Sequence, residues 1–341
     1  MRLTRRVLLR STPLVFLPLI SGSLDADAAK RVLEITKPSL ESTRRGFKWL
    51  MKTFNRDDGC GIDIGTPSDI SCTAMVGLAL LADGNTPIEG PLSKKVRDIT
   101  TYLIDAVENN RFAVNLHSQV RADLSMYADH HFAALFLSQV YGEDWQIEPI
   151  ERALAKLVEQ IGRGQNQTGN WGQGRYPRLG AITGWCALRG AHLSGLHVEA
   201  SAEATAKYLI DSMKTPQKRH SSLFTTSSGV RVLYSMGLAE REVGQKAFRD
   251  LHRMATHDFQ TFRQFGGEQY LAFHFGNEAM LKRGGDMWHE WHAAVRDKLI
   301  EVQNKDGSWI GYSCITSRTF CTAAALLVLT SPNRYLPISQ Q

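Results

Sequence analysis

Residues 165–171 read QNQTGNW and residues 303–309 read QNKDGSW, so both share the pattern Gln-x3-Gly-x-Trp. Gln165 and Gln303 are separated by three intervals of about 46 residues, a length typical of helical repeats. A degraded copy, NRDDGCG, occupies residues 55–61. Self-similarity of this kind indicates a repeat protein, and the motif therefore decides how the rest of the chain is interpreted.

Pairs of helices are predicted around the motif, because apolar residues recur there at spacings of three and four. The first helix of each pair is amphipathic, and the second is apolar on nearly all sides, which predicts that it is buried. The first helices are predicted at residues 39–54, 93–109, 149–162, 201–214, 244–257 and 289–303. The second helices are predicted at residues 70–83, 125–141, 181–195, 226–238, 267–282 and 317–329.

Six such hairpins predict an all-α fold in which a ring of inner helices lies within a ring of outer helices, an α/α toroid. An open solenoid is the alternative, but solenoids need polar capping repeats at their ends. The last helix pair here is instead among the most apolar, which favours closure. The toroid is predicted to span residues 39–330, after a linker at 29–38 and before a C-terminal tail at 331–341.

The first 28 residues have the features of an export signal. A basic front that includes Arg5 and Arg6 precedes an apolar stretch at 7–20 and the small-x-small sequence Ala26-Asp27-Ala28. The apolar stretch is too short and too broken by proline to span a membrane, and the paired arginines are similar to a twin-arginine signal. We therefore predict a protein exported to the periplasm, without a transmembrane segment.

Composition excludes several classes of protein. Hydrophobic residues make up 43% of the 341 residues and charged residues 22%, which excludes collagen, coiled coils and wholesale disorder. Five cysteines are too few for a disulfide scaffold. The net charge is +6, but four arginines and two aspartates of the total lie in the first 28 residues. The remainder is only mildly basic, so no nucleic-acid partner is expected.

The spacing that the two copies of the motif share has a structural explanation. A glycine allows a sharp backbone turn, the tryptophan ring can pack over the neighbouring repeat, and the glutamine amide can bond backbone groups at a helix end. The structural motif residues are predicted to be Gln165, Gly169, Trp171, Gln303, Gly307 and Trp309.

Gln-x3-Gly-x-Trp resembles the repeat signature of the prenyltransferase/squalene-cyclase superfamily, and residues 319–327 resemble its repeat cores. The resemblance covers roughly residues 39–330, and the chain closely resembles exported squalene-cyclase-like repeat proteins of environmental bacteria. It implies a toroid fold and an isoprenoid or other apolar ligand in the central cavity. The Asp-x-Asp-Asp acid motif of the cyclases is absent and the chain is about half their length, so triterpene cyclisation is not expected.

A zinc site is implied by the resemblance to protein prenyltransferase β-subunits, which use Asp-x-Cys at one inner helix and a histidine at the next. Here Asp69 and Cys72 stand one position further apart, and Asp129, His130 and His131 open the following inner helix. The resemblance implies Asp69, Cys72 and His131 as zinc ligands and Asp129 and His130 as catalytic residues. No other cofactor is expected.

Aromatic and polar residues on the inner helices are the predicted lining of the central cavity, although such a stripe is also typical of a core. The arginines among them must pair or face water, since a charge in an apolar helix is costly. The predicted cavity residues are Tyr127, Trp185, Glu268, Tyr270, His274, Arg231 and Arg318.

Several functions remain open from the sequence. A prenyltransferase-like enzyme is one, although no catalytic motif is intact, and a non-catalytic binding or scaffold protein of the cell envelope is the second. A third is a glycan-processing toroid with paired carboxylates, for which Asp57, Asp58, Asp69 and Asp129 are available. The expected partner is accordingly an apolar small molecule or an envelope protein. Cys72 and Cys321 are candidates for a disulfide or for simple buried thiols.

Overall fold

The computed structural model of the protein describes residues 34–113, 118–172, 177–214, 219–257, 265–312 and 315–340. These residues form thirteen α-helices and no β-strand, which confirms the all-α prediction. The predicted export signal at 1–28 lies outside the described residues, as does the first half of the predicted linker, 29–33. Within the described ranges, no helix has the length and apolar character needed to cross a membrane.

All twelve predicted helices are present. The six amphipathic helices are α1 (Lys37–Leu50), α3 (Ser93–Glu108), α6 (Ile147–Gly164), α8 (Glu199–Met213), α10 (Glu242–Thr256) and α12 (Gly285–Glu301). The six buried helices are α2 (Ile70–Ala82), α5 (Ala128–Val140), α7 (Pro177–Leu193), α9 (Arg219–Ser235), α11 (Gly267–Arg283) and α13 (Arg318–Thr330). A short helix that the periodicity did not predict, α4 (Gln119–Asp123), precedes α5.

The buried helices follow one another in space as they do along the chain. Helix α2 contacts α5, and the contacts continue through α7, α9, α11 and α13, which contacts α2 in turn. Every residue of α2 and of α5 is buried, including the polar residues at the start of each helix. The amphipathic helices α3, α6 and α12 pack against α2, α5 and α11, respectively. The buried helices therefore make a closed cycle of contacts, with the amphipathic helices packed against them.

The glutamines of the two intact motifs connect one repeat to the next. Gln165 Nε2 donates to the Ser201 carbonyl oxygen of α8 at 2.9 Å and to the Gly169 carbonyl oxygen at 3.3 Å. Gln303 Nε2 donates in the same way to Ser42 O of α1 at 2.9 Å and to the Gly307 carbonyl oxygen at 2.8 Å. The third repeat is thus bonded to the fourth by the same contact that bonds the sixth to the first.

The motif tryptophans are buried and bond the amphipathic helix that precedes them. Trp171 Nε1 donates to Ile161 O and Trp309 Nε1 donates to Leu299 O, both at 2.8 Å. The Trp309 ring packs on α1, where a Cβ added at Gly46 would lie 2.9 Å from the ring. The loop motif therefore stabilises the seams between repeats.

Gly307 is required for two reasons. Its φ is +98°, and a Cβ there would lie 2.6 Å from the Arg45 carbonyl oxygen. We expect Gly307→Ala to lower the free energy of unfolding by about 3 kcal/mol, from backbone strain and from the clash with the backbone. Denaturant unfolding measures this loss. The control is Gly195→Ala, where φ is +94° and no atom lies within 4 Å, so only the strain of about 1 kcal/mol remains. Equal losses in the two variants would show that the Arg45 contact has no role.

The two ends of the described chain meet at α12. The Trp288 indole donates to Glu34 Oε1 at 2.7 Å, and His292 Nε2 lies 3.1 Å from the Glu34 carbonyl oxygen. Arg334 approaches the Glu34 carboxylate at 3.4 Å. Residues 331–340, named the tail segment here, form two 3-10 turns, Ser331–Asn333 and Pro337–Gln340, and pack onto the buried helices.

Acid should weaken this junction through His292. Burial lowers the pKa of His292 from 6.5 to about 3, so below pH 6.5 the unfolded chain binds a proton that the folded chain excludes. The neutral His292 imidazole therefore contributes fully to stability above pH 6.5, and this contribution is lost as the pH falls below 6.5. Between pH 7 and pH 5 we expect wild type to lose about 2 kcal/mol more than His292→Gln in urea unfolding. The control, His197→Gln at an exposed histidine, should follow wild type; a His292→Gln variant that also follows it would contradict this account.

Candidate functional site

Three consecutive side chains at the start of α5 point in different directions, because neighbouring residues of a helix are about 100° apart. Asp129 faces α2, where Ser71 Oγ donates to Asp129 Oδ1 at 2.6 Å. His131 faces α7, with its Nδ1 3.2 Å from Thr183 Oγ1. His130 faces an open pocket. The two residues predicted to act together in catalysis, Asp129 and His130, thus lie on different faces of the helix.

The pocket in front of His130 has a volume of about 360 Å³. It lies where α3 and α6 end and α5 begins, and aromatic, polar and cationic side chains line it. The lining residues are Asn110, Phe112, Arg121, Met126, Tyr127, His130, Gln160 and Arg163. This volume is within the range typical of small-molecule sites.

His130 is held between two aromatic rings. Its centroid lies 4.6 Å from that of Phe112 and 5.2 Å from that of Tyr127, and both rings are tilted against it. Burial, with a contribution from Arg121, lowers the pKa of His130 to about 4. The imidazole is therefore neutral at neutral pH, with one nitrogen that donates a hydrogen bond and one that accepts.

Two buried polar atoms beside this pocket lack hydrogen-bond partners within the described residues. They are His130 Nδ1 and Gln160 Oε1, on α5 and α6, respectively. Buried polar atoms in folded proteins are nearly always bonded, since an unbonded one costs about 1–3 kcal/mol. Both residues line the pocket, so these unbonded atoms lie close to the position of a bound molecule.

Two arginines line the pocket, and each lies beside a carboxylate. The Arg121 side chain is buried, donates from Nη1 to Phe112 O at 3.0 Å, and lies 4.0 Å from Asp129 Oδ2. Arg163 is exposed at the rim and pairs with Glu159. The pocket thus combines an apolar, aromatic surface with two guanidinium groups.

The predicted zinc ligands Asp69, Cys72 and His131 have other contacts in this structure. Asp69 caps α2 by accepting from the Cys72 backbone N–H at 2.8 Å, and Cys72 Sγ lies 3.3 Å from Ser317 Oγ. Burial raises the pKa of the Cys72 thiol well above its usual range. The His131 ring packs edge-on against Trp171 at 4.5 Å. Over the part of the chain that the structure covers, no three His, Cys, Asp or Glu residues are grouped as metal ligands.

Three of the predicted cavity residues, Trp185, Arg231 and His274, lie near Glu278 in the interior. The Arg231 Nε donates to Glu278 Oε2 at 2.8 Å, and both side chains are buried. The Arg231 guanidinium lies 5.7 Å from the Trp185 ring centroid. His274, one turn before Glu278 on α11, lines small cavities with it. Arg231 is thus paired in the interior.

The remaining predicted cavity residues have other surroundings. Tyr270 donates from its hydroxyl to Ile310 O at 3.3 Å and packs edge-on against Phe265. Glu268 is buried at the start of α11. Arg318 is partly exposed, pairs with Asp63 and Asp306, and lies 4.8 Å from the Trp49 ring centroid. Of the seven predicted cavity residues, Tyr127 lines the pocket in front of His130, and His274 lines the two small cavities beside Glu278.

The cysteines that the structure describes are free thiols. Cys60, Cys72, Cys186 and Cys321 are all buried, and none is in a disulfide. Burial raises the pKa of Cys60 and of Cys186 to about 12, so these thiols are protonated and unreactive. Cys72 and Cys321 thus behave as small buried side chains and not as a disulfide pair.

No model of a known protein family matches this chain, and no curated protein matches it either.

The pocket was only partly visible from the sequence. His130 and Tyr127 were singled out by the resemblance and by aromatic spacing, but Arg121, Phe112 and Gln160 were not. Phe112 and Arg121 belong to the irregular connection between α3 and α5, where no periodic pattern operates, and Gln160 occupies an ordinary polar position of an amphipathic helix. A buried polar residue is recognisable only when its neighbours are known.

Proposed function

We propose that this chain is an exported α/α toroid of the prenyltransferase/squalene-cyclase-like type that binds an apolar small molecule. The cyclic contacts of the buried helices support the toroid, as does the motif contact that joins the last repeat to the first through Gln303 and Ser42. The basic and apolar pattern of the first 28 residues supports export to the periplasm.

The ligand site is the pocket in front of His130. The observation that carries this assignment is the pair of buried, unbonded polar atoms, His130 Nδ1 and Gln160 Oε1, beside a pocket of about 360 Å³. Phe112 and Tyr127 supply flat apolar surfaces, while Arg121 and Arg163, each beside a carboxylate, supply guanidinium groups. The ligand class that fits is a molecule with an apolar body and an anionic or strongly polar end group.

Binding is the part of this function that the geometry supports, and a transferase reaction is a further step. Of the residues predicted to be catalytic, His130 alone faces the pocket, and as a neutral imidazole it can accept a proton or a hydrogen bond. Asp129 accepts from Ser71, lies beside Arg121 and is not among the residues that line the pocket. A binding protein without catalysis, the envelope alternative, agrees with the same pocket.

The test uses 1-anilinonaphthalene-8-sulfonate, which has apolar aromatic rings and an anionic sulfonate. We expect its fluorescence to report saturable binding to wild type, and the Kd to rise at least tenfold in His130→Leu and in Arg163→Ala. His197→Leu, at an exposed histidine that does not line the pocket, is the matched control and should keep the wild-type Kd. Unchanged Kd values in both pocket variants would refute this site.

The natural ligand and zinc are both accessible to mass spectrometry of the purified exported protein. Small molecules that copurify with wild type and are lost from His130→Leu would identify the ligand class. Zinc at stoichiometric amounts in wild type and its loss in Cys72→Ser would support the zinc prediction, and no bound zinc in wild type would remove it.

A further inference from the structure

The tail segment enters the space between the buried helices. Leu336 and Ile338 are buried there and surround a cavity of about 10 Å³ together with side chains from five of the six buried helices. We name these surroundings the tail site, and its principal residues are Leu78, Leu135, Cys186, His274, Glu278 and Leu327. The sixth buried helix, α9, reaches the tail segment through Arg231.

The backbone of the tail segment is held by buried side chains. The Ile338 N–H donates to Gln139 Oε1 of α5 at 2.9 Å, and Arg231 Nη2 of α9 donates to Ile338 O at 3.3 Å. Two polar side chains of the buried helices thus bind both backbone groups of a single residue. Recognition by backbone hydrogen bonds and by apolar pockets for nearby side chains is how proteins bind short peptides.

The tail segment does not satisfy its site completely. His274 is buried and lines the tail site, yet its Nδ1 has no hydrogen-bond partner among the described residues. A second cavity of about 10 Å³ lies beside it, next to Arg334 and Leu336. Each cavity has room for about one water molecule. The tail segment therefore fills most of the tail site but leaves one buried polar atom unbonded and two small cavities beside it.

The outer part of the segment is weakly attached. Tyr335 is exposed, Arg334 adopts a left-handed φ of +57°, and its ion pair with Glu34 is partly exposed. Such a pair contributes about 0–1 kcal/mol, and a left-handed non-glycine residue carries strain. Release of the tail segment therefore breaks few strong contacts outside the tail site itself.

We propose that the tail site is a peptide-binding site for a partner protein's segment with two apolar side chains two positions apart, which displaces the tail segment. The tail segment is the resident competitor. Because it belongs to the same chain, its effective concentration is in the millimolar range, and a free peptide binds poorly until it is weakened. The site is separate from the pocket in front of His130, since Gln139 and His130 are at opposite ends of α5.

The probe is a fluorescein-labelled peptide with the sequence of residues 331–340, and the protein is the full-length chain. We expect the labelled peptide to bind Ile338→Ser with a Kd at least tenfold lower than wild type. A peptide with serine in place of Ile338 should bind neither protein. Ile64→Ser, at an exposed isoleucine, is the matched control and should behave as wild type. Equally weak binding of the labelled peptide by Ile338→Ser and wild type would overturn the proposal.

A second measurement tests the proposal if the Ile338→Ser variant folds poorly. Unlabelled peptide at saturating concentration should raise the Tm of Ile338→Ser, or restore its helical circular dichroism, because a ligand that binds only the folded state stabilises it. The same peptide should leave the Tm of wild type unchanged. If Ile338→Ser is unfolded and saturating peptide does not restore it, the tail segment is an ordinary part of the core and the proposal fails.

Discussion

Replacement of Glu278 with leucine is expected to lower the free energy of unfolding by about 3–5 kcal/mol, one of the two largest single-residue effects we expect in this protein. The reason is the position of its partner. Arg231 is buried, and its Nε lies 2.8 Å from Glu278 Oε2. Without the carboxylate the guanidinium remains in the interior as an uncompensated charge, which costs far more than the ion pair itself contributes.

Two comparisons make this prediction specific. Glu240→Leu removes the carboxylate that pairs with Arg283, but this glutamate is exposed, so the expected loss is below about 1 kcal/mol. The double variant Arg231→Met/Glu278→Leu should recover most of the stability, because two apolar residues replace both charges. Urea unfolding at pH 7 measures all three variants. A loss below about 1 kcal/mol in Glu278→Leu would mean that Arg231 reaches water or another anion.

Trp309→Ala is expected to have an effect of similar size, about 3–5 kcal/mol, because it leaves a large cavity in the interior. The indole is fully buried, packs on Gly46 of α1 and donates to Leu299 O. Trp309→Phe should cost less, since most of the ring volume remains and mainly the hydrogen bond is lost. Tyr312→Ala, an exposed aromatic residue near the same loop, should change stability by less than about 0.5 kcal/mol.

The location of the damage is a sharper measurement than its size. Trp309 stands where the last repeat meets the first, so its loss should raise amide hydrogen exchange in α1 and α13 first. Trp171→Ala, the same change in the third repeat, should raise exchange first in α7, where the Trp171 ring packs on Gly184. Identical exchange patterns in the two variants would contradict the view that each motif stabilises its own seam.

The helices were predictable because their cause is local. Apolar periodicity gave all twelve, with α13 as the clearest. The helix whose start differs most from the prediction is α9, which begins at Arg219 and not at residue 226. Its first turns contain serine and threonine, which have no apolar period. Helix α4 was missed for a similar reason, since five residues cannot display a period.

The site was less predictable, because its chemistry depends on residues distant in sequence. Asp129, His130 and His131 looked like one functional cluster from their adjacency. In the structure the three side chains bind or face α2, the pocket and α7, respectively. Arg231 was recognised as a charge that must pair or face water, but its partner Glu278 is 47 positions away in sequence and could not be chosen in advance.

The sequence alone thus determined the all-α class, the helix pairs and the repeated loop motif, because hydrophobic periodicity and glycine-dependent turns act over a few neighbouring residues. The tertiary structure alone decided which helix faces meet, that His130 opens onto a pocket, and that the tail segment lies between the buried helices with Ile338 held by Gln139 and Arg231. The physical reason is that burial and hydrogen-bond satisfaction are properties of a three-dimensional neighbourhood. No short stretch of sequence contains the partner that a buried charge or an imidazole will meet.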